Sequence, residues 1–283
     1  VFGNRELSRI VDHVDHDRIR HVGPPPDGGL ASTARPREAA VVDGAGYLRI
    51  AEGCDNRCAF CAIPLIRGPL RSRSIGAVVA DAETMVGDGV HEINLVAQDI
   101  ASYGRDLETP STGETPSLVG LIRRILEVPG DFMLRMLYMH PDHFDPELLD
   151  LVGRDERLLP YFDLPFQHAS PRILSAMGRS GSSETYVELL DTIRRVVPDA
   201  VIRSTFLVGF PGEGAEDRRE LLRFQQEAQI DWLGVFTYSH EEGTRAYRLG
   251  RPGRRARRCA EELRREIEEA QIPITESQMD RFV

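Results

Sequence analysis

Long apolar runs are missing from this sequence of 283 residues. No stretch approaches the roughly 20 apolar residues of a membrane span, and no basic segment followed by an apolar one marks a secretory signal. Positive charge is also in deficit, since 35 lysines and arginines face 45 aspartates and glutamates, for a net charge of −10. This balance argues against strong non-specific nucleic-acid binding by the surface as a whole. We therefore expect a soluble, cytoplasmic globular protein with no membrane partner.

Cysteine is scarce, yet three of the four cysteines fall within eight positions. The stretch Cys54-Asp-Asn-Arg-Cys58-Ala-Phe-Cys61 has the spacing Cys-x3-Cys-x2-Cys. Cysteines so close in sequence cannot staple a large domain, which excludes a disulfide framework. Cys259 lies far from the other three, and we interpret it as incidental.

Three thiolates on one loop indicate a metal centre that lacks a fourth protein ligand. A structural zinc site needs four ligands. The fourth would have to be one of several residues that are distant in sequence: His91, His140, His143, His168, His240 or Cys259. A redox dithiol of Cys58 and Cys61 leaves Cys54 without a role. The spacing favours an iron–sulfur cluster, which leaves one iron open when three cysteines hold it.

Short apolar runs alternate with helical periodicities after Gly46. The predicted strands are Tyr47–Ala51, Glu92–Ala97, Phe132–Met139, Tyr161–Pro165, Val201–Val208 and Trp232–Tyr238. The predicted helices span residues 75–88, 117–128, 145–153, 171–177, 183–196 and 214–229. Strands separated by helices pair in parallel. Six such units are two fewer than a closed eight-stranded barrel needs, so the sequence predicts an α/β fold, a partial (β/α)6 barrel.

Polar residues follow several of the predicted strands. They are the cysteine loop, Gln98-Asp99, Gln167-His168, Gly209-Phe-Pro-Gly-Glu213 and Tyr238-Ser-His-Glu241. Because the carboxyl ends of barrel strands meet on one face, we expect these residues to share one site.

Composition divides the chain into three predicted parts. Residues 1–44 contain a proline- and glycine-rich stretch and are predicted to be a linker, the tail of an N-terminal domain. Residues 45–250 hold the barrel units, and residues 251–283 form a charged C-terminal helix. Its arginines are interpreted as a solvated face rather than a phosphate-binding patch. The segment Tyr103–Ser117 is predicted to be a lid or a surface excursion.

The cysteine loop resembles that of radical S-adenosylmethionine (SAM) enzymes. The resemblance extends to RimO-type methylthiotransferases and covers residues 45–275. The segments that carry it run in order: Ala51-Glu-Gly-Cys54, Arg67-Gly-Pro-Leu-Arg-Ser-Arg73, Leu95-Val-Ala-Gln-Asp99, Ser102-Tyr-Gly104, Phe166-Gln-His-Ala-Ser170, Phe206-Leu-Val-Gly-Phe-Pro-Gly-Glu213, Val235-Phe-Thr-Tyr-Ser239 and Glu242-Gly-Thr244.

The resemblance implies a transferase that adds a methylthio group to the β-carbon of an aspartate in ribosomal protein uS12. Its implied partners are the small ribosomal subunit and a low-potential electron donor. Two alternatives stay open: a MiaB-type methylthiotransferase acting on isopentenyladenosine in tRNA, and a non-catalytic zinc-binding scaffold. The tRNA substrate is less favoured, because MiaB-type sequences are expected to differ around Gln98-Asp99 and Gln167-His-Ala-Ser170.

The resemblance also implies a cofactor set, a [4Fe–4S] cluster held by Cys54, Cys58 and Cys61, with SAM on its open iron. The residues expected to contact SAM are Phe60, Gln98, Gln167, Arg203, Gly209 and Gly212. Phe60 is expected to pack against the adenine, and the two glycines to let the backbone approach it, because neither has a Cβ. No catalytic residue beyond the cluster ligands is implied.

Arg203 stands out because it lies inside an apolar strand. Together with Gln98 and Gln167 it is expected to hold the amino acid or the ribose of SAM. If its guanidinium is buried, it needs a carboxylate partner.

RimO-type proteins carry a second cluster in an N-terminal domain and end in a small β-barrel (TRAM) domain. No cysteine precedes Cys54 in this sequence. We therefore expect this chain to hold one cluster and to cleave SAM, without completing methylthiolation alone.

Overall fold

The computed structural model describes residues 44–109 and 115–279. The strands in these ranges are β1 Ala45–Arg49, β2 Ala51–Glu52, β3 Arg71–Ser72, β4 Glu92–Val96, β5 Met133–Met136, β6 Tyr161–Asp163, β7 Val201–Val208 and β8 Trp232–Thr237. The α-helices are α1 Ile63–Arg67, α2 Ile75–Gly87, α3 Leu118–Leu126, α4 Glu147–Val152, α5 Pro171–Met177, α6 Ser183–Val196, α7 Ala215–Ala228 and α8 Arg254–Met279. The predicted tail, residues 1–43, lies outside the described ranges.

Six strands run parallel and form the wall of an open barrel. β1 pairs with β4 and β4 with β5, while β6 pairs with β7 and β7 with β8. The two sheets meet between β5 and β6, where the Met139 amide donates to the carbonyl of Asp163 at 2.8 Å. Within the described ranges no strand pairing joins β8 back to β1. The predicted (β/α)6 partial barrel is therefore confirmed.

The first predicted strand, Tyr47–Ala51, is wrong at its end. β1 stops at Arg49, and Ala51–Glu52 leaves the barrel to pair antiparallel with Arg71–Ser72. The buried carboxylate of Glu52 accepts a hydrogen bond from Arg67 at 2.9 Å. This small ladder joins the two ends of the segment between β2 and β3, which contains all three clustered cysteines.

The two faces of β7 show how the barrel is packed. Ile202, Ser204, Phe206 and Val208 are buried, whereas the residues between them are only partly buried. Since side chains alternate across a strand, the buried set faces the helices and the other set faces the concave interior. On the helix side, Phe166, Tyr186, Phe206 and Phe224 form an aromatic group with ring centroids 4.4–6.0 Å apart.

The last helix, α8, packs beside the β7–β8 end of the barrel. Its buried residues Ala260, Leu263 and Ile267 belong to the main hydrophobic core. The Gln225 side chain of α7 donates to the Ile267 carbonyl at 2.8 Å, which ties the two helices together. None of the helices in the described ranges combines the length and apolarity needed to cross a membrane.

Candidate functional site

The three clustered cysteines lie on the loop that follows β2, at the carboxyl end of the barrel strands. Each thiol is partly exposed and none forms a disulfide. Two hydrogen bonds hold the backbone at the start of the loop. The Gly53 amide donates to Oε1 of Gln98 at 2.7 Å, and the Cys54 amide donates to the Gly68 carbonyl at 3.1 Å. Gln98, predicted to contact SAM, thus orients the residue that precedes the first cysteine.

Gly53 cannot be replaced without moving the loop. Its φ is +78°, and a Cβ built there would lie 1.9 Å from the carbonyl oxygen of Pro69. Both the left-handed backbone and the close approach of another backbone segment require glycine here.

We expect Gly53→Ala to lower the free energy of unfolding by several kcal/mol, on the order of 3, and to reduce iron loading. Urea denaturation and iron analysis measure the two effects. Gly89→Ala is the matched control, because Gly89 has φ +81° but nothing within 4 Å of its Cβ position. This control measures only the cost of placing an alanine at a positive φ, which is about 1 kcal/mol of the free energy of unfolding. Equal losses in the two variants would contradict the role of the Pro69 contact.

The middle of the loop is anchored on the opposite side of the barrel. The Ala59 amide donates to the Met177 carbonyl at 2.6 Å, and the Ala59 carbonyl accepts from the Ala246 amide at 2.8 Å. Phe60 packs against the small apolar cluster of Ala59, Ile173, Met177, Phe210 and Ala246. Phe60 therefore fixes the loop that carries the cysteines, and its contact with adenine stays a prediction.

Asp99, which follows β4, connects three loops at this edge. Its buried carboxylate accepts from Nδ2 of Asn56 at 2.9 Å, from the His140 amide at 3.0 Å and from the Ser102 hydroxyl at 2.6 Å. Nδ1 of His143 lies 2.8 Å from the same carboxylate. Burial alone would raise the pKa of Asp99, but these hydrogen bonds outweigh it and hold the pKa well below its usual value.

Cys58 has a cation and an imidazole beside its sulfur. Nη1 of Arg179 lies 3.9 Å from Sγ of Cys58, and Nε2 of His140 lies 4.0 Å from it. Burial raises the pKa of the Cys58 thiol, although Arg179 opposes the shift. Burial likewise raises the pKa of Cys54 to about 11. In the protein without a metal these thiols stay protonated at neutral pH, so a metal must displace the protons.

The arrangement of the cysteines distinguishes the two kinds of metal centre. No three His, Cys, Asp or Glu side chains in the described ranges converge tightly enough to hold one metal ion. Sulfurs bound to a single zinc lie about 2.3 Å from it and therefore crowd one another, whereas each thiolate of a [4Fe–4S] cluster binds a different iron. Three thiols that do not converge on one metal position, with a buried arginine beside Cys58, fit the cluster better than zinc.

Two residues that follow barrel strands have strained backbones. Tyr138 and Gln167 have φ of 65° and 70°, although neither is glycine. They follow β5 and β6, at the carboxyl ends of neighbouring strands. The Gln167 backbone bridges to β7, since the Leu207 amide donates to its carbonyl at 2.7 Å. Such strain persists where the surroundings fix it and is concentrated at functional sites.

Arg203 faces the concave interior and has the partner that its position in the strand requires. Its Nη1 lies 2.9 Å from both oxygens of Asp163, a carboxylate that is 3% exposed. The Arg203 side chain itself is 39% exposed. The guanidinium is thus held by a buried anion, while the side chain stays partly open to solvent.

A second ionic pair lies one strand away. Arg135 binds both oxygens of Glu92, at 2.9 and 3.0 Å, and stacks over the ring of Tyr161 at 4.7 Å. The interior wall is therefore polar and ordered before any ligand binds.

Residues 48–224 match the family model described as the Radical SAM superfamily. The chain belongs to this superfamily. Curated relatives named ribosomal protein uS12 methylthiotransferase RimO are also similar. The protein of Treponema denticola is 38% identical over 304 residues, covering 100% of this chain and 64% of that protein. The one of Desulforudis audaxviator is 44% identical over 253 residues, covering 88% and 55% respectively. The resemblance to RimO-type methylthiotransferases is confirmed, and this chain spans roughly half to two thirds of these relatives' length.

Solved radical SAM structures share the fold. The methyltransferase TsrM from Kitasatospora setae, solved with cobalamin and a [4Fe–4S] cluster, aligns with a TM-score of 0.54 at 19% identity, covering 68% of this chain and 34% of TsrM. Coproporphyrinogen III oxidase (HemN) from Escherichia coli aligns with a TM-score of 0.52 at 17% identity, covering 82% of this chain and 52% of HemN. At these identities the likeness concerns the fold alone, and it agrees with the partial barrel.

In this radical SAM barrel, the two glycines after β7 have different surroundings. A Cβ on Gly209 would lie 2.5 Å from Cβ of Ala260, so this glycine lets α8 approach the barrel. Gly212 has φ +92° and open space around its Cβ position apart from Arg172 at 3.9 Å. A turn explains Gly212 and helix packing explains Gly209, and the predicted approach to adenine remains a prediction for both.

Sequence reasoning missed Arg179, and it noted His140 only as a distant zinc ligand. Arg179 follows Gly178, the left-handed residue that ends α5, where no local pattern marks a function. His140 offered one signal, since it comes just after a predicted strand, on the face where the other polar residues were expected to meet.

His168 is buried in the β6–α5 connection of this barrel. Its Nδ1 accepts from the amides of Ala169 and Ser170, at 2.9 and 3.0 Å, so the proton of the neutral ring is on Nε2. Nε2 has no hydrogen-bond partner and lies 3.8 Å from the buried carboxylate of Glu213. Burial lowers the pKa of His168 from 6.5 to about 4.

This shift predicts a stability effect between pH 6.5 and 4. There the unfolded histidine binds a proton that the folded one does not, so stability is full above pH 6.5 and falls as the pH is lowered, by about 1.4 kcal/mol per pH unit. His168→Asn keeps a hydrogen-bond acceptor but cannot titrate. We expect it to remove this contribution from the pH dependence of the free energy of unfolding, measured by urea denaturation. His91→Asn, on the surface, is the control and should keep the wild-type slope. An unchanged slope in His168→Asn would refute the assignment.

Proposed function

We propose that this chain is the radical SAM core of a methylthiotransferase that modifies ribosomal protein uS12. One observation carries the proposal: the three-cysteine loop is clamped at the carboxyl face of an open six-stranded barrel and has a buried arginine beside one of its thiols. The curated relatives that bear this activity in their names support the choice among radical SAM reactions.

The cofactors follow from this assignment. Cys54, Cys58 and Cys61 would hold a [4Fe–4S] cluster, and SAM would bind its open iron. When bound, the cluster supplies the electron that breaks a carbon–sulfur bond of SAM. The residues proposed to contact SAM are Phe60, Gln98, Gln167, Arg203, Gly209 and Gly212.

The protein's own residues would position the cofactor and exclude water. Gln98 orients the start of the loop through Gly53, and Phe60 fixes its middle. Arg203, held by Asp163, presents a fixed positive charge to the interior that suits the carboxylate of the cofactor or of the target aspartate. The barrel wall would keep a reactive carbon radical away from solvent and from stray C–H bonds.

The wider assignment has five further parts. Residues 45–250 would be the catalytic core and residues 251–283 the helix that leads towards a TRAM domain. Residues 1–44 would link to an N-terminal domain that holds a second cluster. The partners would be the small ribosomal subunit and a low-potential electron donor. The protein would act in the cytoplasm, where ribosomal proteins are available to it.

Anaerobic turnover of the full-length protein tests this function. The reduced enzyme would be given SAM and either uS12 or tRNA, and the products would be analysed by mass spectrometry. A methylthio group on an aspartate of uS12, absent with the Cys58→Ala variant, is the expected result. Modification of tRNA alone, or of neither substrate while SAM is cleaved, would overturn the proposed substrate.

A further inference from the structure

Arg179 is a buried cation at the cysteine loop. The residue is 8% exposed, and its Nη2 donates to the carbonyl of Pro165 at 2.8 Å. Its Nη1 contacts Sγ of Cys58 at 3.9 Å, and its Nε is buried with no hydrogen-bond partner. Two of the three guanidinium nitrogens are therefore committed, one to the backbone and one to the cysteine sulfur.

No carboxylate in the described ranges forms a salt bridge with Arg179, unlike Arg203, whose buried partner is Asp163. A guanidinium keeps its positive charge in the protein interior, and leaving that charge unpaired is costly. Asp142 accepts from the amide of the adjacent Ser180 at 3.2 Å, whereas the guanidinium itself contacts the sulfur of Cys58, which is an anion once it is a thiolate. The burial of Arg179 is thus explained by an anionic group bound at the loop.

His140 approaches the same sulfur from another loop. Its Nδ1 accepts from the amide of Asp142 at 3.3 Å, which leaves the proton of the neutral ring on Nε2. Nε2 lies 4.0 Å from Sγ of Cys58, so the N–H is on the side of the ring that contacts the sulfur. The His140 amide bonds to Asp99 at 3.0 Å and holds the ring in place.

The three cysteines are therefore not equivalent. Cys54 receives a backbone hydrogen bond from Asn56. Among the described side chains, only Arg179 and His140 make hydrogen-bond contacts with a cysteine sulfur of the loop. Both contact the sulfur of Cys58. Donors directed at a ligand sulfur withdraw electron density from it and favour the more negative, reduced state of a cluster.

We propose that Arg179 and His140 are positioning residues that act through the sulfur of Cys58 to raise the reduction potential of the bound cluster. The inference rests on the proposed function for the cluster itself and adds which residues set its potential. It also gives the reason why a cation without a carboxylate is kept in the interior. The protein would thereby make its cluster easier for the electron donor to reduce.

A redox titration of the reconstituted protein, followed by electron paramagnetic resonance, tests the proposal. In Arg179→Met the ratio of reduced to oxidised cluster at a fixed potential should fall about tenfold, which for one electron is about 59 mV. Arg179→Lys keeps the charge and should restore most of the ratio. His140→Leu should lower the ratio, while His140→Gln, which can still donate from a similar position, should not.

The control is Arg157→Met. Arg157 is also partly buried and bonded to backbone carbonyls, but it pairs with Asp155 far from the loop, and its loss should leave the potential unchanged.

A wild-type potential in both Arg179→Met and His140→Leu would overturn the inference while leaving the proposed function intact. If Arg179→Met fails to load a cluster, loading by Arg179→Lys supports the need for a cation. Failure of both, with His140→Leu at the wild-type potential, counts against the inference. Failure of the wild-type protein to load any cluster would instead refute the proposed function.

Discussion

Cys58→Ala is expected to lose its cluster and all detectable cleavage of SAM. The cluster needs three thiolates to leave one iron open, and Cys58 is the one whose sulfur is contacted by Arg179 and His140. Loss of this ligand also leaves the buried cation of Arg179 without an anion. Iron analysis and visible absorbance measure the cluster, and chromatographic detection of 5′-deoxyadenosine measures the cleavage of SAM. Cys54→Ala and Cys61→Ala should behave alike.

Cys259→Ala is the internal control for this experiment. Cys259 lies in α8, away from the loop, and its removal should leave iron content and SAM cleavage at wild-type levels. Circular dichroism of each variant distinguishes loss of a ligand from loss of the fold. SAM cleavage by all three loop variants would contradict the ligand assignment.

Asp99→Ala is expected to destabilise the protein by about 3–5 kcal/mol, the usual cost of removing one member of a buried charged network. The change leaves the buried amide of His140 and the side chain of Asn56 without their acceptor. Because Asn56 is on the cysteine loop, we also expect poorer cluster loading. Urea denaturation and iron analysis give both numbers.

The matched control is Asp106→Ala. Asp106 also accepts a backbone hydrogen bond, from Ser72 at 2.8 Å, but this contact is exposed to water. Water can replace the lost acceptor, so the cost should be below about 1 kcal/mol. Similar losses for the two variants would show that burial of the Asp99 network contributes little.

The alternating strands and helices of the barrel could be predicted from the sequence, because each strand and each helix has its own hydrophobic periodicity. β7 and α6 have the predicted bounds, Val201–Val208 and Ser183–Val196, since an alternating strand and an amphipathic helix each mark themselves. The β2–β3 ladder was not accessible. Two-residue strands have no period, and their pairing depends on Glu52 meeting arginines that are 15 and 19 positions away in the chain.

Some residues of the candidate site could likewise be predicted from the local sequence, and others could not. The sequence identifies the cysteines as metal ligands by their spacing. It identifies Arg203 as a candidate because a charged residue is unusual within an apolar strand. Asp99 was expected at this site, but its hydrogen bond to Asn56 and the approach of Arg179 to Cys58 could not be recognised, because these contacts span 43 and 121 residues. Only the closing of the barrel brings those residues together, and local pattern holds no information about it.

Anaerobic reconstitution of this chain with iron and sulfide tests the central claim most directly. We predict a brown protein with about four irons per chain, which produces 5′-deoxyadenosine when SAM and a reductant are added. A colourless protein with one zinc per chain and no 5′-deoxyadenosine would contradict the radical SAM assignment of this loop.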